Sequence, residues 1–101
     1  MATLTVVYWR DIPAQVIAKA GRQTAKRVLP ERFETAIDRA AMRAGLRDTD
    51  SYLGEWHRAD PQPCGDDLEA VAAEAAARLE NEYDEERVHG LVLNGGLEAK
   101  P

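Results

Sequence analysis

Cysteine is nearly absent from this chain, because Cys64 is the only one among 101 residues. A single cysteine cannot form a disulfide within the chain, so nothing in the sequence points to an oxidising compartment. A C-x-x-C redox pair and an iron–sulfur cluster held by one chain are excluded for the same reason. Cys64 precedes a predicted helix, whose N-terminus favours thiolates, but Asp66 and Asp67 follow and oppose a negative charge there. We therefore predict that Cys64 is structural, and a reactive thiol is the alternative.

Long apolar runs are also absent. No stretch approaches the roughly 18 apolar residues that span a bilayer, and the N-terminus lacks the basic start and apolar core of a secretory signal. The cytoplasm is therefore the expected location. A glycine-rich phosphate loop and a G-x-S-x-G nucleophile elbow are likewise missing, so the sequence favours a protein without catalytic activity and without a cofactor.

Metal ligands are few. The mixed set of His57, Asp60, Cys64 and His89 contains no pair at a spacing typical of zinc sites, which predicts that no metal is bound.

Aromatic residues are scarce as well, at 6% of the chain. Trp9 and Trp56 each lie near an arginine and could stack on nucleic-acid bases. Because the net charge is -5 and nucleic-acid binders are generally basic, we predict that both tryptophans belong to the core.

The residues that are present predict a small α+β domain. The β-branched and aromatic run at 4–10 predicts a strand, and residues 14–20 predict a second one. Pro30 and an apolar stripe predict a helix that ends at Gly45, and residues 51–59 predict a third strand. A second stripe predicts a helix that starts at Asp66 or Asp67. The apolar stripes are Phe33, Ile37, Ala40, Ala41 and Ala44 in the first helix, and Leu68, Val71, Ala75, Leu79 and Tyr83 in the second.

This order, β-β-α-β-α, favours a two-layer domain with a three-stranded antiparallel or mixed sheet and two helices on one face. The basic segment at 22–28 is predicted to be a loop or a ragged strand. Pro61 and Pro63 are expected to exclude regular structure until Cys64, and residues 87–93 form a short apolar addition. We place the domain at residues 1–94 and a flexible tail at 95–101.

Charge is divided unevenly along the chain. Residues 1–50 carry a net charge of +3 and residues 51–101 a net charge of -8. The cations cluster most tightly at Lys19, Arg22, Lys26, Arg27 and Arg32. This cluster predicts a patch that binds an acidic partner, or alternatively a set of charges that balances the acidic half within the fold. Met42 and Leu46 lie away from the first helix's stripe and are candidates for a protein-binding face on that helix, the alternative being that Met42 packs under a loop.

Four stretches carry a resemblance to a known family: VYWRDIPAQV, GRQTAKRVLPERFETAIDRAAM, SYLGEWHR and DPQPCGDDLEA. Together they resemble the small bacterial "virulence factor" domain proteins over roughly residues 4 to 90. The resemblance implies relatives fused behind an Nfu-like scaffold domain, and stand-alone members that accompany one-carbon and corrinoid methyl-transfer proteins. It supplies no catalytic residues.

The sequence as a whole therefore predicts a non-catalytic accessory or interaction domain with a protein partner, which the resemblance places in one-carbon or corrinoid methyl transfer. Two alternatives stay open at this point: a thiol-dependent enzyme using Cys64, and a nucleic-acid-binding module using the basic segment at 19–32.

Overall fold

The computed structural model describes residues 2–46 and 48–98. Within these ranges the chain forms an α+β domain with an antiparallel five-stranded sheet and four helices. The strands are β1 (Thr3–Trp9), β2 (Ile12–Ala20), β3 (Gln23–Val28), β4 (Trp56–Arg58) and β5 (Gln62–Pro63). The helices are α1 (Glu31–Arg43), α2 (Thr49–Leu53), α3 (Leu68–Glu82) and α4 (Glu85–Leu93).

The sheet has the order β3-β2-β1-β4, and β5 pairs with β1 beside β4. β1 is an inner strand, with β2 on one side and the two short strands on the other. The turn between β1 and β2 is only Arg10 and Asp11, so Ile12 and Pro13 belong to β2 instead of breaking the chain. The register shifts by one residue between Val7 and Tyr8, where Ala14 is the extra residue of a β-bulge in β2.

The sheet is larger than the predicted three strands. The basic segment after Gly21, predicted to be a loop or a ragged strand, forms the regular strand β3, a full partner of β2. Its pattern is weak because it is an edge strand with Ala25 as its one buried residue. The two-residue β5 includes Pro63 and also escapes prediction, since proline is tolerated on edge strands. The predicted number of three strands is therefore too low.

Two helices form where the sequence predicts the start of a strand and a short apolar addition. Residues 51–53, expected to begin a strand, belong to α2, because Asp48 caps this helix by accepting a hydrogen bond from the Ser51 N–H at 3.1 Å. The apolar addition at 87–93 belongs to α4, where Asp84 accepts from the Arg87 N–H at 2.8 Å. Such side-chain caps satisfy backbone donors that the first helical turn leaves free.

The core is built from the predicted stripes. Trp9, Ile12 and Val16 of the sheet are completely buried, and Phe33 of α1 is nearly so. From the α1 stripe Ile37, Ala40 and Ala41 are buried, while Ala44 is half-buried. From the α3 stripe Leu68, Ala75, Leu79 and Tyr83 are buried, while Val71 is half-buried. Periodicity thus locates the helix faces correctly.

The C-terminal segment packs on the turn between β1 and β2. Gly95 and Gly96, which the sequence assigns to the tail, are buried. The Gly95 carbonyl accepts a hydrogen bond from Arg10 Nη1 at 2.9 Å, and the Gly96 carbonyl accepts one from the Asp11 N–H at 2.8 Å. The packed domain therefore continues past residue 94, and the end of the predicted tail, at 99–101, lies outside the described residues.

The helices were also compared with the length and hydropathy of membrane spans. In the described part of the chain, every helix is too short or too polar to cross a lipid bilayer.

Candidate functional site

A groove of about 860 Å³ runs between α1 and α4 and is lined by residues of both helices. Its floor contains Ala36 of α1 and Val88 of α4, both of which are buried. Arg32 at the start of α1 donates to the Tyr83 carbonyl, just before α4, and Arg43 Nε donates to the Leu93 carbonyl at 3.2 Å. The two helices therefore run in the same direction along the groove.

Two large apolar side chains stand exposed on the groove walls. Met42 of α1 is 80% exposed and Leu93 of α4 is 50% exposed, and half-buried Val92 lies beside Leu93. A scattered exposed apolar residue needs no explanation, but two that line one groove form an apolar strip. Leu46, predicted to share the surface of Met42, instead packs partly against the core and does not line the groove.

Charges divide the groove into two ends. Glu31 and Glu85 lie at the N-termini of α1 and α4, where the helix dipole favours carboxylates. Arg39 and Arg43 lie toward the C-terminal end of α1, near Met42. Because the helices run in the same direction, the end of the groove near Arg39 and Arg43 is basic, whereas at the other end Arg32, which also lines the groove, offsets part of the charge of the two glutamates.

The five clustered cations separate in the structure. Arg32 is half-buried and donates to the carbonyl oxygens of Tyr83 at 2.7 Å and Glu80 at 2.9 Å, with its guanidinium over the Phe33 ring. These are the free carbonyls at the end of α3, so Arg32 serves the fold as a helix cap. The other four are exposed residues of β2, β3 and the turn between them: Lys19, Arg22, Lys26 and Arg27. The sheet thus places four of the predicted residues on two neighbouring strands and the turn between them, with Lys19 and Lys26 on one face and Arg27 on the other, and assigns the fifth elsewhere.

Cys64 lies far from the histidine that could serve as its base. The Cys64 N–H donates to the Ala2 carbonyl at one end of β1, and the half-buried side chain packs against the core. His57 pairs with Tyr8 at the other end, where its Nε2 lies 2.7 Å from the Arg10 carbonyl. Six residues of extended strand separate these two positions by about 20 Å. The structure does not bring a nucleophile and a base together here.

The histidines considered as candidate metal ligands also lie apart. His89 lines the groove between α1 and α4, whereas His57 stacks on Tyr8 with ring centroids 5.6 Å apart. Across residues 2–46 and 48–98, no three side chains of the types His, Cys, Asp and Glu converge as a metal site would require.

The tryptophans contribute to packing. Trp9 is completely buried, and its Nε1–H donates to the Tyr52 carbonyl at 3.0 Å. Trp56 is half-buried and contacts the Tyr52 ring edge-on, with centroids 6.2 Å apart. A fully buried indole cannot stack on a base, so Trp9 does not form a nucleic-acid platform. Trp56 keeps one side accessible, beside a smaller cleft with Gln15 and Val28.

The turn between β1 and β2 is a second concentration of polar contacts that the sequence does not reveal. Arg10 adopts a left-handed conformation, with φ of 52°. Its Nε lies 3.1 Å from Glu55 Oε2, but the N–H does not point at that oxygen, so the contact is an ion pair without a hydrogen bond. His57, Glu55 and the Gly95 carbonyl all bind this one residue. Such contacts fix the turn in place.

Sequence reasoning misses Arg39 and Leu93 of the groove, and it considers His89 only as a metal ligand. The spacing of Arg39, Met42 and Arg43 does place them on one helix face. However, only the pairing of α1 with α4 makes that face one wall of a groove.

Fold and groove together define a class: a small α+β domain with an open helix–helix groove on its surface. Within that class, the chain belongs to the family described as Virulence factor, whose sequence profile matches residues 7–92, from β1 into α4. The family inferred from the sequence is therefore confirmed. No curated protein matches the chain, and no solved structure matches it.

Proposed function

We propose that this protein is a non-catalytic accessory domain that binds a protein partner in the groove between α1 and α4. The observation that carries the proposal is the exposure of Met42 and Leu93 on the two walls of one open groove. Methionine makes adaptable contacts because its side chain is flexible and polarisable. Burial of an exposed apolar strip is the main favourable term in association.

An amphipathic helix of the partner is the occupant that fits this groove. Such helices insert an apolar face between two helices of the receptor and place charges along the rim. Here the rim is basic near Arg39 and Arg43. The fitting helix therefore carries acidic residues at the end beside Arg39 and Arg43, and this charge contact fixes its direction.

The partner class follows from the resemblance. Stand-alone relatives accompany one-carbon and corrinoid methyl-transfer proteins, so we propose a cytoplasmic complex with a component of that kind. The proposal requires no reaction at Cys64, whose only candidate base lies at the other end of β1.

The test measures binding to a purified corrinoid protein and its methyltransferase from the same genome. Isothermal titration calorimetry with the full chain gives the dissociation constant, and Met42→Ser removes the apolar contact. The expected loss is about tenfold, which is typical of a residue that contributes to an interface core. Leu53→Ser is the matched control, because Leu53 is 55% exposed but lies on α2, outside the groove; its affinity should not change.

Two outcomes would contradict the proposal. If neither component binds the unaltered protein, the partner class is wrong. If binding occurs and Met42→Ser and Leu53→Ser have equal effects, the groove is not the binding site.

A further inference from the structure

The outer edge of β3 presents backbone groups that have no partner strand. In the β2–β3 register Val28 lies opposite Gln15, and the next pair outward, Leu29 and Ala14, is hydrogen-bonded: the Leu29 N–H donates to the Ala14 carbonyl at 3.0 Å. Bonded and non-bonded pairs alternate in an antiparallel ladder. Thr24, Lys26 and Val28 therefore direct their N–H and C=O groups away from β2.

These outward groups are available to a ligand. β3 is the last strand of the sheet on its side. In the described ranges no hydrogen bond joins the outer side of β3 to another part of the chain. Helix α3 packs against β2 and β3, and buried Ala25 supplies an apolar contact. The edge is thus held in place by the core but not covered.

The side chains along this edge give it a positive charge. Arg22, Lys26 and Arg27 are all exposed within six residues, and Lys19 lies opposite Thr24 on the neighbouring strand. The ion pairs found in residues 2–46 and 48–98 join Arg10 to Glu55 and Arg87 to Glu98, so the cations of β3 are not neutralised there. Val28, 71% exposed, adds an apolar position at the end of the strand.

We propose that β3 binds an extended, acidic segment of a partner protein, which adds to the sheet as a further strand. Main-chain hydrogen bonds to Thr24, Lys26 and Val28 supply the pairing, and carboxylates on the added strand face the cations. A second copy of this chain is a poor occupant, because self-pairing brings three cations from each copy together. This surface is separate from the groove between α1 and α4, so each proposal can fail alone.

The experiment uses three synthetic peptides with the full-length protein. The first alternates Glu and Val, the second alternates Lys and Val, and the third keeps the glutamates but has proline at alternate positions, so that it cannot pair as a strand. Amide hydrogen exchange is followed by NMR. The Glu-Val peptide should slow exchange at Thr24, Lys26 and Val28, and the amides of Ala25 and Arg27, already bonded to β2, should change little.

Variants then test the charge. The pair Lys26→Glu and Arg27→Glu should weaken binding of the Glu-Val peptide by about fivefold or more, since the loss of one exposed ion pair contributes up to about fivefold and the reversed charges add repulsion. Arg78→Glu is the matched control, because Arg78 is an exposed cation on α3, and it should leave the affinity unchanged.

Several results would overturn the proposal. Equal binding of the proline-containing peptide would mean attraction by charge without strand addition. Analytical ultracentrifugation without peptide is the next check. If the protein sediments as a dimer and Lys26→Glu makes it monomeric, a second copy is the occupant. Binding of an oligonucleotide to the same residues, with no binding of the Glu-Val peptide, would assign the edge to nucleic acid.

Discussion

At the scale of single residues, Gly96 packs directly against the ring of Trp9. Gly96 has φ of +92°, in the region that glycine adopts without strain, and a Cβ placed there would lie 2.7 Å from Trp9 Cζ3. Trp9 is completely buried and cannot move away without disturbing its bond to the Tyr52 carbonyl. Glycine is required at this position for two reasons: the backbone has a positive φ, and the Trp9 ring leaves no space for a Cβ.

Replacing Gly96 with alanine should therefore destabilise the fold by about 2–4 kcal/mol, from backbone strain and overpacking together. Gly90→Ala is the control, because Gly90 lies within α4 with open space around it. That change should stabilise the protein by about 0.5–1 kcal/mol, since alanine favours helix. Urea unfolding measures both. Equal effects of the two changes would mean that residues 94–98 do not pack on Trp9.

Tyr83 gives the molecule a dependence on alkaline pH. Burial raises the pKa of Tyr83 from its ordinary value of 10.0 to about 12, with Tyr8 adding to the effect and Arg87 opposing it. Between these two values the unfolded chain loses the phenolic proton while the folded chain keeps it. The free energy of unfolding should therefore fall as the pH rises through this window.

The measurement is urea unfolding from about pH 8 to about pH 11.5, with Tyr83→Phe as the comparison. Phenylalanine keeps the ring near Phe33, whose centroid lies 6.5 Å from that of Tyr83, and removes the ionising group. The variant should lose less stability above pH 10 than the unaltered protein. Parallel slopes for the two proteins would assign the alkaline loss to other groups.

At the scale of elements, local pattern accounts for some parts of the fold and not for others. β1, β2, α1 and α3 are predictable because each carries its own periodic apolar face. β3 is stable only because β2 and α3 lie against it, so its sequence needs little more than Ala25 on the buried side. α2 and α4 are short, and their helical state depends on the caps Asp48 and Asp84, which a residue count over a longer window does not register.

The groove shows the same limit. Met42 is recognisable from sequence as an apolar residue away from the stripe of α1, but its partner Leu93 lies fifty-one residues later along the chain. Only the packing of α4 beside α1 brings them to one surface. Leu46 has similar chemistry and is drawn toward the core instead. A binding surface built from two elements is a tertiary property, so sequence reasoning finds one wall and misses the other.

At the scale of the whole molecule, the charge asymmetry needs an explanation, because the first fifty residues are net positive and the remainder strongly negative. If the two halves held the fold together by attraction, the clustered cations would face carboxylates. Arg32 is engaged with the second half, but through backbone carbonyls of α3. Arg22 and Lys26 are exposed, and the ion pairs of the described residues involve other arginines.

These placements predict that the cations differ in what they do for stability. Arg22→Glu together with Lys26→Glu should shift the melting temperature by less than about 3 °C, because exposed charges contribute little. Arg32→Ala should lower the free energy of unfolding by about 2 kcal/mol, since it leaves two helix-end carbonyls without their charged donor. Thermal and urea unfolding at low and high salt measure both changes, and salt should shrink only the small effect of the exposed pair.

The contrast between the two variants decides what the asymmetry is for. A loss of stability in the double reversal as large as that of Arg32→Ala would mean that the cations balance the acidic half within the fold. If the double reversal leaves the fold intact, the positive field of β3 acts outward, where it speeds the encounter with an acidic partner more than it tightens the final complex. The association rate should then fall most in the double reversal and about half as far, on a logarithmic scale, in Arg22→Ala with Lys26→Ala, because neutral residues remove the attraction without adding repulsion.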